Sequence, residues 1–179
     1  HLIAISQAVI HSSDWKPAID EITHLSSAVM LFDYLLIHQV EENDCHSIIY
    51  AKSKTPSQQQ EIQFDWEDIL ADLVIGSQQT ILQQFAAETI EIDSESPHYL
   101  GVPLMASPDC LGTLSLIRFG GPIFTQSEVR MAEFISQQIT MLIERQILQR
   151  EHELLETQRK QTRLQEDFIS HITHELRNP

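Results

Sequence analysis

The sequence predicts an α+β domain, in which helices flank an antiparallel sheet, followed by one long coiled-coil helix. Helical spacing of apolar residues predicts helices beside the sheet at 1–27 and from 65 onwards. Between Thr125 and Asn178 there is no Pro and no Gly, and a helix of about 50 residues is longer than one globular domain needs. Four segments rich in branched and aromatic residues predict strands, at 29–40, 47–50, 99–105 and 112–119.

The first half of the chain is expected to begin with one helix over 1–27, for which Ser13 and Asp14 supply a capping site. Polar segments predict a turn at 41–44 and a loop at 55–60, and the segment 79–92 predicts only short pieces of helix or strand. A helix starting at Asp65 is expected to place five apolar residues on one side, namely Trp66, Ile69, Leu70, Leu73 and Val74.

In the second half, the turn-forming segment 106–110 joins two strands and predicts an antiparallel hairpin. The later strand alternates Leu114 and Leu116 with polar residues, which is typical of a half-buried strand. Thr125 and Glu128 have the spacing of a capping box, so we expect the long helix to begin there.

Charge and cysteine content exclude several classes of partner. The formal net charge of −15 disfavours nucleic acid and anionic lipid, because both are bound through Lys and Arg. No apolar run approaches the roughly 20 residues that span a bilayer. The two cysteines do not form a disulfide framework. We therefore expect a cytoplasmic protein that contacts neither membrane nor nucleic acid.

The segment 99–147 resembles the closing half of a GAF domain. It carries a Val-Pro-Leu strand, a turn, a Gly-x-Leu-x-Leu strand, a Phe-Thr-x-x-Glu cap and a long exit helix, and these motifs begin at Val102, Gly112 and Phe124. In layout the resemblance extends over residues 10–147. It implies a GAF sensor domain over residues 1–143, and the alternative is a PAS-like or unrelated α+β sensor domain.

The resemblance leaves the ligand of this domain unknown, because GAF domains bind cyclic nucleotides, bilins, haem, iron–sulfur clusters or nothing. A bilin is disfavoured, since Cys45 lies at a strand start in the wrong half of the domain. An iron–sulfur cluster needs about four soft ligands, and a dimer could supply Cys45 or Cys110 twice. His98 could face the pocket and bind haem iron or an acidic ligand. The histidines lack the spacing of a metal site, so no metal ion is predicted.

A heptad track runs through the long helix. Its members are spaced by seven residues and are Leu148, Leu155, Thr162, Ile169 and Leu176. This spacing predicts a coiled-coil seam and hence a homodimer, with a signalling linker over 144–166. The companion positions 151, 158 and 165 are polar, which predicts a weak seam suited to transmitting a signal. A single exposed surface helix is the alternative.

The segment 167–179 resembles the H-box that starts the phosphotransfer helix of HisKA-type histidine kinases. The resemblance rests on Phe168, Ser170 and the run from His174 to Pro179, with Thr173 where the family often has Ser. It implies that His174 accepts the γ-phosphoryl group of ATP and that Glu175 polarises it and acts as base. Asn178 would orient water in the phosphatase reaction. In the heptad His174 falls at position f, opposite the seam, so it should be exposed.

Together these resemblances imply the sensory and linker region of a two-component sensor histidine kinase. The expected partners are a second copy of the chain, the ATP-binding kinase domain of the parent protein and the receiver domain of a response regulator. This region has no ATP site and should be inactive alone. His171 is expected to be a solvated histidine. The alternative is a non-catalytic GAF module that binds a ligand or acts as a scaffold and dimerises through a coiled coil.

Overall fold

The structure, a computed structural model, describes residues 2–11, 15–41, 45–54, 65–85 and 96–177. The helices of these segments are α1 (Leu2–His11), α2 (Trp15–Ser27), α3 (Asp65–Ser77) and α4 (Gln126–Arg177). The strands are β1 (Tyr34–Val40), β2 (His46–Ser53), β3 (Ile81–Gln84), β4 (Pro97–Ala106) and β5 (Asp109–Phe119). The strands form one antiparallel sheet in the order β2-β1-β5-β4-β3, which confirms the predicted α+β class.

The first part of the chain differs from the prediction at two places. The expected helix over 1–27 is two helices, α1 and α2, and the capping site at Ser13 and Asp14 lies outside the described residues. The first strand begins only at Tyr34, because the residues after α2 form a turn. In this turn the amide of Met30 donates to the carbonyl oxygen of Ser26. Most of the turn at 41–44 and the loop at 55–60 also lie outside the described residues.

Both faces of the sheet are covered by helices. The α3 face holds a buried cluster that includes Tyr34, Leu36 and Tyr99. On the other face, α2 is tied to β2 by a hydrogen bond from the Tyr50 hydroxyl to the Asp20 carboxylate (2.7 Å). The prediction of a half-buried last strand was therefore wrong, because β5 lies in the centre of the sheet and its polar residues are buried as well as its leucines.

Helix α3 also differs from its predicted apolar side. Ile69 and Leu73 are exposed, whereas Leu70, Val74 and the charged residue Glu67 are buried. The buried side of α3 is rotated relative to the apolar stripe because it covers polar groups of the sheet. This rotation brings a carboxylate into the interior, where it needs a partner.

The hairpin and the capping box are confirmed. Strands β4 and β5 pair antiparallel around the turn. The Thr125 hydroxyl accepts from the Glu128 amide (3.3 Å), and the Thr125 amide donates to the Glu128 carboxylate (2.7 Å). Burial would raise the pKa of Glu128, but the hydrogen bonds from Thr125 and Arg118 outweigh it and lower the pKa.

The chain divides into two compact units, one ending at Leu142 and one starting at Ile143. The first unit holds the sheet and its helices, and the second is helical where it is described. Neither contains, within the described segments, a helix apolar enough over a sufficient length to cross a membrane.

Candidate functional site: a histidine and carboxylate cavity on the sheet

A β-bulge brings two histidines to the same face of the sheet. Along β1 and β2, Ile37 pairs with Tyr50 but His38 pairs with Ile48, so Ile49 is the extra residue. After this shift Val40 pairs with His46. Residues that pair directly share a face, and alternate residues along a strand do too. His46 therefore lies on the same face as His38, and their ring centroids are 4.8 Å apart.

His38 is bound to the carboxylate that α3 carries into the interior. Its Nε2 lies 3.0 and 3.1 Å from the two carboxylate oxygens of Glu67, and both side chains are fully buried. Because a carboxylate only accepts, Nε2 is the donor and carries the hydrogen. The other ring nitrogen, Nδ1, is buried and makes no hydrogen bond with any atom of the described segments.

The neighbouring strand approaches His38 so closely that only glycine fits opposite it. A Cβ on Gly112 of β5 would stand 1.9 Å from the backbone carbonyl oxygen of His38. Gly112 pairs with Gln39 in the sheet. The absence of a side chain there lets β1 and β5 hold the His38 backbone in place.

His46 is flanked by two further carboxylates of α3. Its Nδ1 lies 2.9 Å from the carboxylate of Asp72, and its Nε2 lies 3.8 Å from that of Asp68. Asp68 and Asp72 are one helical turn apart, so both reach the strand below. His46 is nearly buried, while Asp72 is mostly exposed.

The two histidines, Asp68 and Asp72 line one cavity of about 620 Å³, together with Cys45, Ser47 and Ile48. The described part of its lining contains no Lys or Arg. The same face of the sheet continues with Tyr99, whose hydroxyl is 3.0 Å from that of Ser115, and burial raises the pKa of Tyr99 far above its usual value. A cavity with imidazole and carboxylate groups suits a cation or a hydrogen-bond donor better than an anion.

The three ligand candidates named from the sequence lie in different places. Cys45 precedes β2 and lines the cavity beside His46. Cys110 lies in the β4–β5 hairpin, half-buried, and its thiol donates to the carbonyl oxygen of Gly112 (3.2 Å). It does not line the cavity as far as that lining is described.

His98 lies on the opposite face of the sheet from this cavity. Its neighbour Tyr99 packs in the α3 cluster, and adjacent residues of a strand point to opposite faces. His98 is buried, with its Nε2 3.2 Å from the carbonyl oxygen of Gly121. It pairs with Arg118, which also contacts Glu128 at the start of α4. The role of His98 as a ligand remains a prediction, and it concerns the face of the sheet opposite the His38–His46 cavity.

The H-box residues lie at the exposed end of α4. His174 and Glu175 are both exposed. The Glu175 carboxylate lies 3.6 Å from Nε2 of His171, which is one helical turn away. It does not face His174, because adjacent residues of a helix point in different directions. The polarising role of Glu175 thus stays a prediction, and Asn178 lies outside the described residues.

The fold of the first unit is that of a GAF domain. A GAF domain of an Acinetobacter phosphoenolpyruvate-protein phosphotransferase is 18% identical, with a TM-score of 0.64 over 80% of this chain and 90% of that chain. A segment of a methyl-accepting chemotaxis protein is 13% identical, with a TM-score of 0.57 over 79% and 95%. A far-red absorbing protein with bound biliverdin is 11% identical, with a TM-score of 0.59 over 80% and 97%.

These likenesses establish the fold that the motifs at 99–147 predicted. No protein-family model matches the chain, and no curated protein matches its sequence. The role of the protein therefore has to be argued from its own residues.

Sequence reasoning missed the His38–His46 cavity because no sequence pattern reveals the bulge at Ile49. If Ile49 were paired as an ordinary strand residue, regular alternation would place His46 on the other face of β2. One signal was available. The segment 65–72 carries four acidic residues, Asp65, Glu67, Asp68 and Asp72, on a helix that was expected to pack on the sheet.

Proposed function

We propose that this chain is the sensory and linker region of a two-component sensor histidine kinase. The GAF domain senses a signal and the helix over 144–166 relays it to His174. His174 takes the γ-phosphoryl group of ATP and passes it to an aspartate of a response regulator. The observation that carries this proposal is the run His174-Glu175-Leu176-Arg177, exposed on the last turns of α4.

The exposed apolar residues of α4 support a homodimer. Leu148, Leu155, Ile169 and Leu176 are exposed in the single chain, although they share one heptad position. A helix gains most of its stability from packing an apolar face, and burying one leucine contributes about 1.5–3 kcal/mol. Pairing with a second copy covers this seam and leaves His174, at position f, accessible to its partners.

The fold supports a sensory role for the first unit. The solved structures that share it include a chemotaxis protein and a protein with bound biliverdin. A signal bound in this unit could act on α4 directly, because the first turns of that helix supply core residues such as Ala132, Ile135 and Ile139. The kinase reaction itself requires the ATP-binding domain of the parent protein.

Phosphorylation of the full-length protein tests this proposal. We expect ATP labelled in the γ-phosphate to give an acid-labile phosphohistidine, because a phosphoramidate is hydrolysed in acid whereas a phosphoester is not. His174→Gln should abolish the label. His171→Gln is the matched control, since His171 is also an exposed histidine and lies one turn away, and it should keep the label.

Two results would overturn the proposal. One is label retained in His174→Gln at the level of the unchanged protein. The other is absence of label in a folded, dimeric full-length protein, and that result favours the alternative, a GAF module that dimerises through its coiled coil without phosphorylation.

A further inference from the structure

The geometry points to a divalent transition-metal site in the cavity of the GAF domain, with His38, His46 and Asp68 as its ligands and Glu67 and Asp72 as hydrogen-bond partners of the two imidazoles. This inference names the class of ligand that the sensor domain binds. That the metal ion acts as a signal rests on the proposed function. The inference itself concerns binding, and it holds or fails separately from the phosphorylation of His174.

Three potential ligand atoms from three elements converge here. One ring nitrogen of His38, one of His46 and one carboxylate oxygen of Asp68 all lie within 4.8 Å of one another. Metal–ligand bonds of about 2.0–2.2 Å place bound ligand atoms roughly 3.0–3.5 Å apart. The longest separation thus needs to shorten by about 1.3–1.8 Å, and Asp68, whose side chain is one third exposed, has room to rotate.

The hydrogen bonds around the imidazoles leave a lone pair on each. His38 donates from Nε2 to the Glu67 carboxylate, so in the neutral ring the buried Nδ1 is the acceptor. His46 has its Nδ1 at 2.9 Å from the Asp72 carboxylate, so its Nε2, on the side of Asp68, is the acceptor. A carboxylate that fixes one nitrogen while the other binds metal is the usual arrangement of metal-binding histidines.

The charges also call for a cation. Glu67, Asp68 and Asp72 bring three carboxylates to two histidines, and no Lys or Arg lies in the described lining of the cavity. A buried carboxylate such as that of Glu67 requires compensation. Two neutral imidazoles with one coordinating carboxylate suit Fe²⁺, Co²⁺ or Zn²⁺, and three protein ligands leave a coordination position open towards the cavity.

This open position distinguishes a sensing site from a purely structural one. A structural zinc site is closed by four protein ligands, whereas here a water or a small molecule from the cavity completes the coordination. Cys45 lines the same cavity but is outside the converging set. We therefore assign the thiol no role as a ligand.

Metal titration of the tag-free protein, after treatment with a chelator, tests the site. Zn²⁺ followed by calorimetry and Co²⁺ followed by its visible absorption should each show one ion bound per chain. Asp68→Asn and His46→Gln keep the size of the side chain, and each should weaken binding about 100-fold or more. Asp72→Asn should weaken it about 10- to 100-fold, as loss of an outer partner does.

Matched controls separate this site from adventitious binding. His152→Gln, on an exposed stretch of α4, and Cys45→Ser should leave the affinity unchanged. Circular dichroism should confirm that every variant is folded. The site is refuted by a folded unchanged protein that binds neither ion saturably. It is also refuted if Asp68→Asn and His46→Gln bind as tightly as the unchanged protein, or if Cys45→Ser loses the ion.

The outcome is distinguishable from that of the kinase proposal. Loss of metal binding with His174 still labelled removes only the metal site. Stoichiometric binding without any label removes only the kinase role.

Discussion

The buried pair of His38 and Glu67 gives the sharpest test of the interior of the domain. Replacing Glu67 by Leu leaves the imidazole of a fully buried histidine without its acceptor, and replacing His38 by Leu leaves a buried carboxylate without its donor. Breaking a buried pair from one side costs about 3–5 kcal/mol. For a domain of this size, each kcal/mol lowers Tm by about 2–4 °C, so each single variant should lose about 6–20 °C.

The double variant separates this pair from ordinary packing. With both residues replaced by Leu, no polar group is stranded, and such replacements are often close to neutral. If the two single losses were additive, their sum would give the free energy of unfolding of the double variant. We expect the measured free energy of unfolding to be at least about 2 kcal/mol higher than that additive value. Urea unfolding in the presence of a chelator measures all four proteins, and Glu21→Gln, an exposed change, should stay within about 0.5 kcal/mol. Additive losses would refute the pairing.

Four other changes probe the strand contact, the helix start and the dimer seam. Gly112→Ala should destabilise the domain by about 1–3 kcal/mol in urea unfolding, because its Cβ meets the His38 carbonyl oxygen, and an unchanged midpoint would contradict that close contact. Thr125→Ala should lose about 1 kcal/mol of cap stability. The pKa of Glu128 is lower in the folded protein than in the unfolded chain, where it is about 4.3. Ionised Glu128 therefore stabilises the fold fully at pH values above about 4.3, and this stabilisation is lost as the pH falls through the folded pKa. Glu128→Gln should make the free energy of unfolding less dependent on pH in this acidic range. Ile169→Asp should weaken dimerisation at least 10-fold in sedimentation, whereas Glu153→Ala, away from the seam, should not.

Local patterns predicted those parts of the fold that local chemistry decides. Thr125 and Glu128 form their capping box because its two hydrogen bonds join residues three apart. The β4–β5 hairpin follows from its turn residues in the same way. Burial was predicted less well. Thr113 and Ser115 look solvent-facing in sequence, but the order of the strands puts β5 in the centre, and strand order depends on contacts far apart in the chain.

The cavity was beyond sequence reasoning for the same reason. His38 and Glu67 are 29 residues apart, and their pairing depends on how α3 is rotated on the sheet. The apolar pattern of α3 suggested a rotation that buries Ile69, whereas the structure buries Glu67. Glu67 can be buried at this position because the His38 ring donates the hydrogen bond that a buried carboxylate needs.

The extra residue in β2 makes the cavity depend on how the strands pair as well as on which residues they contain. Tyr50 bonds to α2 and His46 to α3, although four steps along a regular strand would put both side chains on one face. Deleting Ile49 alone would leave a regular ladder with the same partners, His38 with Ile48 and Val40 with His46, so both histidines would stay on the α3 face. Homologous chains that lack this one residue can therefore keep the site, whereas chains of the same length that pair without the bulge would keep both histidines and lose it.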